Sequence, residues 1–340
     1  MYEQWIIALL VAPLVIAFES FALRGTKNRT VCTAFHITGL ILMLFFSVQV
    51  ISGVLEKGSI SAFNNWVYVD SLSAIFLGLI AVVGSLAGVY SIGYVNTELE
   101  EGHIDFKTYA HYHGFLHLFF FTMIVSVITN NLILMWVAIE ATTLSSAFLV
   151  GTYKQKTSLE AAWKYIIICS VGVAFGLYGT LLTFANANGV LADPSQAIFW
   201  SAVNQQATGL NPMLMYIAFA FVLIGFGTKC GLFPMHTWLS DAHSEAPSPV
   251  SAILSAVLLN CAMLVVLRYY TLVSKAVGAE FPQTLMLIFG LLSVLVAALF
   301  IIVQFDIKRL LAYSSIENMG LISFAFGLGG PIGVFAGLLH

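Results

Sequence analysis

The chain has 340 residues, of which 60% are hydrophobic and only 9% are charged. Soluble domains carry about 25% charged residues, so most of this chain cannot face water. The composition therefore predicts an all-α integral membrane protein, a multi-span helical bundle that lies in the lipid bilayer. A net charge of −3 with so few basic residues excludes a nucleic-acid-binding protein.

The cysteines and histidines predict neither a metal site nor a cofactor. No CxxC or CxxCH motif occurs, so the cysteines are expected to be small core residues and not disulfides or cluster ligands. They are Cys32, Cys169, Cys230 and Cys261. His111, His113 and His117 suggest a haem, but two axial ligands normally come from different helices, and His36 is the one other intramembrane histidine before residue 225. The chain also lacks GxGxxG and P-loop motifs, so we expect no electron transfer on it.

Apolar stretches of about 20 residues predict the membrane spans. An eleventh apolar run begins at Pro331 and stops at His340, which is too short to cross, so the chain is expected to be truncated. The ten full stretches, the seventh of them broken, are 5–23, 31–55, 66–95, 111–129, 131–152, 162–187, 211–244, 249–272, 283–304 and 310–329.

Lysines and arginines outside the spans predict the orientation of the chain. Alternation of the spans puts eight of them on one side and three, Lys57, Arg268 and Lys275, on the other. Because basic loops stay in the cytoplasm, we expect the larger set to be cytoplasmic and the N-terminus external. The larger set is Arg24, Lys27, Arg29, Lys107, Lys154, Lys156, Lys308 and Arg309.

The seventh span carries a cation and then loses its helical pattern. Lys229 lies among Gly225, Gly227 and Gly231, and Pro234 removes a helix donor just after it. Such a break is tolerated only where neighbouring helices or a wet cavity satisfy the freed backbone groups. Since broken helices near mid-membrane form ion sites in transporters, the pattern predicts that Lys229 lies on a proton route.

Glu140 lies near the middle of the predicted fifth span. A carboxylate there costs about 3 kcal/mol on insertion scales, so we expect it to face a partner or a cavity. A carboxylate about 4 Å from Lys229 would contribute about 4 kcal/mol at an effective dielectric of 20, similar in size to the desolvation of the lysine. Glu140 is therefore predicted to set the charge of Lys229. The alternative is a protonated glutamate bonded between helices and a permanently paired lysine.

Three further side chains are candidates for the same route. Lys164 opens the sixth span, four residues after Glu160 on the same helix face, although a first-turn lysine also reaches the interface readily. His236 and His243 follow the break together with Asp241. Histidine suits a relay because it titrates near neutral pH. Each of these residues is equally compatible with a capping or interface role.

Five sequence blocks between Asp70 and the C-terminus resemble the antiporter-like membrane subunits of respiratory complex I, membrane-bound hydrogenases and Mrp-type cation/proton antiporters. They are VDSLSAIF, MWVAIE, EAAWKY, GTKCGLFPMHTWLSDAHSEAPSPVSA and DIKRLLAYSSIENMG. The fourth block and the KRLLAYSS part of the fifth are long and specific. Within the family, four stretches look most similar to hydrogenase-4 component F and its relatives: WVAIEATTL, SLEAAWKY, AHSEAPSPVSA and SSIENMG.

The resemblance implies about fourteen spans with two inverted five-helix repeats. On that pattern, residues 1–110 hold the three N-terminal spans, residues 111–272 hold the first repeat with its half-channel, and residues 273–340 begin the second repeat. The chain is therefore expected to hold the cytoplasmic-side half of an ion path.

The resemblance also assigns individual residues. Glu140, Lys229 and Lys164 fall on the family's fifth-span glutamate, broken-helix lysine and sixth-span lysine. Ser255 and Asn260 stand in the eighth span at positions where some relatives have a histidine or a lysine. The usual titratable bridge to the second half-channel is therefore absent, and either water that passes these two side chains replaces it or conduction across the chain is incomplete.

Together these observations predict a proton-translocating subunit of a redox-driven complex, such as a membrane-bound hydrogenase or an NADH:quinone oxidoreductase, in a bacterial or archaeal inner membrane. Its partners would be the other membrane subunits of that complex and protons. Two alternatives stay open. One is an Mrp-type sodium/proton antiporter subunit, and the other is a scaffold that docks the hydrophilic arm and conducts nothing.

Overall fold

The computed structural model describes residues 2–26 and 28–340, and Lys27, which contributes to the predicted orientation, lies outside them. Helices dominate the described chain. A π-helical turn, Leu254–Leu258, and short 3-10 helices at Leu23–Gly25, Pro194–Ile198 and Ala207–Gly209 accompany the α-helices. The α-helices are α1 (Tyr2–Ala22), α2 (Arg29–Lys57), α3 (Ser71–Glu100), α4 (Phe106–Ile128), α5 (Leu132–Val150), α6 (Lys156–Asn188), α7 (Trp200–Gln205), α8 (Pro212–Lys229), α9 (Thr237–Glu245), α10 (Ser248–Ile253), α11 (Leu259–Val277), α12 (Glu280–Ile301), α13 (Ile307–Leu328) and α14 (Gly330–Leu339).

Nine helices of the described chain are long and apolar enough to cross a membrane, which confirms the all-α integral membrane class. The predicted tenth span, 310–329, does form a helix, α13, but Ser314, Ser315, Glu317 and Asn318 make it less apolar than the nine. The final apolar run forms α14, which at ten residues is too short to cross, as expected. The nine helices are Tyr2–Gly25, α2, α3, α4, α5, α6, α8, Ser248–Val277 and α12.

A two-stranded hairpin precedes α3, where the third span was predicted to begin at residue 66. Strands β1 (Ser59–Ala62) and β2 (Val67–Asp70) pair antiparallel. Alternate side chains of each strand are buried, which is the period of a strand and not of a helix. The helix itself begins after Asp70, whose carboxylate accepts the Ser73 N–H at 2.9 Å. The prediction placed the boundary too early because no loop separates β2 from α3, so the apolar residues of both fall within one stretch.

The polar segment between α6 and α8, in which no membrane span was predicted, contains α7 and two 3-10 helices. Asp193 caps the first of these, since its carboxylate accepts the Ser195 N–H at 3.0 Å. The hydroxyl and the backbone amide of Ser195 hold the pKa of Asp193 below its ordinary value. Local bonds from capping side chains therefore order a segment that has no long apolar run.

Arg268, which the orientation argument counted on the external side, lies inside α11 with only 2% of its surface exposed. Its guanidinium carbon lies 4.2 Å from the centroid of the Trp200 ring, and the Trp200 indole N–H donates to the Arg268 carbonyl at 2.9 Å. Cation–π attraction offsets part of the hydration that the buried guanidinium loses. Of the three basic residues counted on the side predicted as external, Lys57 and Lys275 therefore remain.

The described chain divides into two compact units, each built from segments that are distant in sequence. In the first unit, α4 and α2 both pack against α1 and α3. In the second unit, α12 packs along α13. The predicted division into three N-terminal spans and two repeats stays a prediction. The first unit is the chain up to Thr129 with Ala141–Trp163 and Glu245–Cys261, and the second is Asn130–Glu140, Lys164–Ser244 and Ala262–His340.

Small residues let α6 and α8 approach each other at backbone distance in the second unit. A Cβ atom added to Gly225 on α8 would lie 2.2 Å from the backbone nitrogen of Gly176 and 3.0 Å from the carbonyl oxygen of Gly172, both on α6. Close approach of this kind is the usual device for packing helices in a membrane, where lipid supplies no hydrophobic drive between them. It determines how near the C-terminal end of α8 lies to the side chains of α6.

Gly225→Val is expected to lower the unfolding temperature of the protein in detergent. The added methyl groups meet backbone and not a movable side chain, so we expect a loss of about 3 kcal/mol or more, at or above the upper end for overpacking. Gly93→Val on α3 is the matched control, because a Cβ there meets nothing within 4 Å. Equal melting temperatures of the two variants, measured by fluorescence-detected unfolding, would contradict the packing argument.

Candidate functional site

The break in the seventh predicted span has the hydrogen bonds of a Schellman motif. Gly231 takes a positive φ of 74°, its N–H donates to the Thr228 carbonyl at 3.1 Å, and the Leu232 N–H donates to the Gly227 carbonyl at 2.9 Å. Glycine suits this position because it adopts the left-handed conformation without a Cβ penalty. The motif ends α8 at Lys229 and leaves Cys230–His236 non-helical before α9 begins. The predicted broken helix is therefore present.

Lys229, the last residue of α8, is fully buried, with 0% of its surface exposed. Its ammonium donates to the Tyr165 hydroxyl at 2.5 Å and lies 4.4 Å from the centroid of the Tyr165 ring and 5.6 Å from that of Trp238. The two rings stack at 4.7 Å, and the Trp238 indole N–H donates to the Thr228 carbonyl at 2.9 Å. The faces of these rings and the negative end of the α8 dipole both favour a positive charge at this point.

Glu140, on α5, binds α6 through Ser170, whose hydroxyl donates to the Glu140 Oε1 at 2.5 Å. The other carboxylate oxygen, Oε2, is buried and has no hydrogen-bond partner in the described chain. Both Glu140 and Cys169 lie near enough to Lys229 to act on its charge, and the ammonium donates to the Tyr165 hydroxyl. The Glu140 carboxylate therefore acts electrostatically on the charge of the lysine.

A side chain of α12 forms a hydrogen bond with the backbone of the non-helical segment Cys230–His236. The backbone N–H of Phe233 donates to the Ser293 hydroxyl at 2.9 Å, and that hydroxyl donates in turn to the Phe289 carbonyl at 2.7 Å. A small pocket lined by Gly227, Phe233, Pro234 and neighbouring residues borders the same segment. A side chain of α12 thus supplies the partner that a broken intramembrane helix requires.

Ser293→Ala is expected to destabilise the break, because it leaves the Phe233 N–H without its acceptor. A buried unsatisfied donor costs about 1–3 kcal/mol, which would appear as a lower unfolding temperature in detergent and faster amide hydrogen exchange at Phe233. Thr284→Ala on the same helix is the control, since the exposed Thr284 hydroxyl bonds only to the Glu280 carbonyl of its own helix. Unchanged exchange at Phe233 in the Ser293 variant would exclude this supporting role.

Lys164 lies in the first half of α6 and forms an ion pair with Asp241 of α9, with Nζ 3.2 Å from Oδ2. The other carboxylate oxygen of Asp241 lies 3.3 Å from Nη2 of Arg309 on α13. Both cations are about half exposed, whereas Asp241 is three-quarters covered. Asp241 therefore connects α6, α9 and α13. Because Lys164 and Asp241 are 77 positions apart in sequence and Arg309 and Asp241 are 68 apart, helix spacing alone predicted neither pair.

The two histidines after the break are both buried. The His236 ring lies 5.8 Å from the Phe233 ring, and its Nδ1 has no hydrogen-bond partner in the described chain. His243 lies in the last turn of α9, beyond Asp241. Their place on a proton route stays a prediction.

Ser255 and Asn260 belong to the first unit, whereas Glu140, Lys164 and Lys229 belong to the second. Ser255 lies in the π-helical turn, where one residue is inserted into the helical ladder, a feature that often marks functional sites. The Asn260 amide donates to the Ala256 carbonyl at 2.8 Å, so it binds its own helix. Their role as a water-lined substitute for a titratable bridge stays a prediction.

The sequence argument missed the residues that hold Lys229 and Glu140, namely Tyr165, Trp238 and Ser170. Tyr165 directly follows Lys164 in EAAWKY, and Trp238 is the second residue of α9 after the break. A signal was present, because an intramembrane lysine needs nearby ring faces, hydroxyls or carboxylates that favour its charge. The sequence could not select these three from the many other aromatic and hydroxyl side chains of the chain.

Comparisons with known proteins agree with the motif resemblance. A family described as NADH:quinone oxidoreductase/Mrp antiporter, TM, matches residues 129–340, and a family described as NADH-Ubiquinone oxidoreductase (complex I), chain 5 N-terminus, matches residues 61–103. The hydrogenase-4 component F homolog of Methylacidiphilum infernorum (isolate V4) is 45% identical over 272 residues, 80% of this chain and 57% of that protein. The Na(+)/H(+) antiporter subunit A1 of Staphylococcus aureus (strain bovine RF122 / ET3-1) is 29% identical over 301 residues, 85% of this chain and 35% of that protein.

A chain in the structure of the membrane-bound sulfane sulfur reductase, an archaeal respiratory membrane complex, has the same fold. It matches 98% of this chain and 67% of its own length with a TM-score of 0.84 and 23% identity. The present chain spans between a third and three-fifths of the length of the two curated relatives. The first family alone covers more than half of the chain. The chain therefore belongs to the NADH:quinone oxidoreductase/Mrp antiporter transmembrane family.

Proposed function

We propose that this chain is a proton-translocating, antiporter-like subunit of a redox-driven membrane complex. The observation that carries the proposal is Lys229, a fully buried amine at a helix break, held by ring faces and a hydroxyl. Burial disfavours the ammonium form of this amine, whereas the ring faces and the nearby Glu140 carboxylate favour it. An amine whose charge is favoured by weak, adjustable contacts suits a group that binds and releases a proton.

In the proposed mechanism Glu140 and Lys229 hold one proton between them. When Glu140 is ionised, its charge favours the ammonium form of Lys229, and when Glu140 is neutralised, that support is lost and the proton leaves the Nζ atom. Lys164 on α6, which is bound to Asp241, is the cation that follows Lys229 on the proposed route. Redox work in partner subunits changes the charge of Glu140, and the required energy is about 2.3 kcal/mol per proton for each 100 mV of membrane potential. His236 and His243 extend the route beyond the break.

The proposed partners are the other membrane subunits of a complex of the hydrogenase or NADH:quinone oxidoreductase type. The similarity to a hydrogenase-4 component F homolog at 45% identity supports this choice. The proposed location is a bacterial or archaeal inner membrane with the N-terminus external, which the distribution of loop lysines and arginines supports.

A second candidate function is that of an Mrp-type sodium/proton antiporter subunit. The similarity to the staphylococcal Na(+)/H(+) antiporter subunit A1 over 85% of this chain favours it. The two functions differ in what drives proton movement: a redox substrate in the first case and a sodium gradient in the second.

The experiment that separates them uses the chain in its native complex, reconstituted into sealed proteoliposomes with a pH-sensitive dye in the lumen. The proposed function predicts luminal acidification on addition of the electron donor and none on a sodium jump alone. A pH change that follows the sodium jump without an electron donor would instead assign the antiporter function. Electron transfer at a normal rate with neither pH change would assign the scaffold role.

A further inference from the structure

Three buried histidines form a cluster in the first unit, apart from the groups assigned to the route above. His36 comes from α2, and His113 and His117 come from successive turns of α4. All three are at most 1% exposed. The His36 ring centroid lies 4.5 Å from that of His113 and 5.0 Å from that of His117. Such a cluster of ionisable groups inside membrane-spanning helices is costly and therefore points to a function.

The hydrogen bonds of the cluster define which nitrogen carries each proton. His36 Nε2 lies 3.0 Å from the Gly88 carbonyl oxygen, and that oxygen can only accept. His36 therefore carries its proton on Nε2, and in the neutral ring Nδ1 is an acceptor. Since His117 Nε2 lies 2.9 Å from this Nδ1, His117 must be the donor. The remaining nitrogen of neutral His117, Nδ1, is then a bare acceptor.

That bare acceptor is buried and has no hydrogen-bond partner in the described chain, and the same is true of both nitrogens of His113. The His117 ring is seated against Gly39, where an added Cβ would lie 2.5 Å from the His117 Cε1 and 3.1 Å from its Nδ1. The space for the imidazole is thus specifically provided by a glycine. Unsatisfied buried polar atoms are rare in folded proteins, and each calls for an explanation.

We propose that His36 and His117 form a proton-sharing imidazole pair, a second proton-binding site that is separate from Lys229. A proton that arrives at His117 Nδ1 forms a new N–H bond there. The His117 Nε2–H proton then passes to His36 Nδ1, which leaves His117 neutral in the other tautomer and gives His36 the positive charge. The Nε2–H of His36 stays bonded to the Gly88 carbonyl throughout. In the transfer itself one N–H bond breaks, at His117 Nε2, and one forms, at His36 Nδ1, while the proton bound at His117 Nδ1 is supplied by a water or hydronium donor outside the pair.

The surroundings limit the cluster to a single extra proton. Two groups that face it are the Tyr109 and Tyr112 rings of α4, whose centroids lie 4.7 and 5.4 Å from that of His113. The third is Ser91 of α3, whose hydroxyl lies 3.4 Å from His36 Nε2. The charged groups that act on His113 and His117 are the other histidines of the cluster, with no carboxylate among the described residues. Two imidazolium ions this close and without a counter-ion would repel strongly, so the pair binds one proton and the second ring stays neutral.

Solid-state NMR of the complete complex in lipid, with this chain ¹⁵N-labelled at histidine, tests the proposal. Between pH 8 and pH 3 we expect one proton to be taken up jointly by His36 and His117, with both ring nitrogen signals moving together. In His117→Gln that shared transition should disappear. His111→Gln is the control, because His111 lies on the same helix with its ring against Phe21 and Phe115 and outside the cluster, and the transition should persist.

The proposal is overturned if both rings stay neutral over the whole pH range. It is also overturned if the two rings titrate independently, so that His36 keeps its own transition in His117→Gln. This readout does not depend on proton flux. A shared transition together with normal pumping in Lys229 variants would refute the proposed function and leave the imidazole pair intact. Absence of the shared transition in the unsubstituted protein, together with the expected loss of pumping in Lys229 variants, would refute the imidazole pair and leave the proposed function intact.

Discussion

Lys229→Met is expected to reduce redox-driven proton pumping by the complex at least about tenfold while electron transfer and subunit assembly persist. Methionine is close to lysine in length and is apolar, so it fills the space beside the Tyr165 and Trp238 rings without leaving a large cavity. What it removes is the group that binds the proton. A factor of ten corresponds to about 1.4 kcal/mol, less than the energy needed to move one proton against 100 mV, so the loss should be at least this large.

Lys229→Arg distinguishes a proton carrier from a fixed charge. Arginine keeps the positive charge but does not release its proton under physiological conditions. If Lys229 must deprotonate, the arginine variant fails like the methionine variant. If only a charge is required, arginine restores pumping. Lys275→Met is the matched control, since Lys275 is exposed on α11 and bonds to the Asn204 carbonyl.

The measurement is the ratio of protons moved to electrons transferred in proteoliposomes, with assembly checked by size-exclusion chromatography of the solubilised complex. A normal ratio in Lys229→Met would refute the proposed function, because no other amine is fully buried in the described chain. A normal ratio in Lys229→Arg alone would retain the site but change its role from carrier to fixed charge.

The parts of the site that were predictable are those that break a rule of membrane sequences. Lys229 and Glu140 stand out because charges are expensive in lipid, and Gly231 and Pro234 stand out because they interrupt a span. The structure has the break at that point. It also shows why a glycine is needed at 231, where the backbone φ is 74°.

The parts that were not predictable depend on which helices meet. Tyr165 and Ser170 belong to α6, and their bonds to Lys229 and Glu140 join residues 64 and 30 positions apart. In a chain with 14% aromatic residues, an apolar sequence gives no sign of which ring faces which lysine. The close approach of α6 and α8 through Gly176 and Gly225 decides it, and that contact is visible only in three dimensions.

The hairpin before α3 illustrates the same limit on a smaller scale. Val67 and Val69 alternate with Tyr68 and Asp70, and this alternation predicts a strand. The apolar α3 follows immediately, however, so the average hydropathy over 20 residues does not separate the strand from the helix. Asp70 carries the boundary as an N-cap, and this local signal is more informative than hydropathy.

Glu140→Gln is the second large effect that we expect, again a loss of at least about tenfold in protons per electron with assembly intact. Glutamine keeps an acceptor for the Ser170 hydroxyl and nearly the same volume, but it cannot be ionised. The variant therefore removes the charge that acts on Lys229 and leaves the bond to α6 in place. A normal proton-to-electron ratio would show that Glu140 is a neutral structural residue.

Ser170→Ala is the matched control for the Glu140 variant, because it removes the hydrogen bond at Oε1 and keeps the carboxylate. We expect a loss of only a few fold, in line with about 1 kcal/mol for one hydrogen bond. The double variant Glu140→Gln with Lys229→Met completes the test. If both groups act on the same proton, the double variant pumps no worse than either single one, whereas groups on separate routes would give multiplied losses. Non-additive losses would therefore show that the carboxylate and the amine act on the same proton.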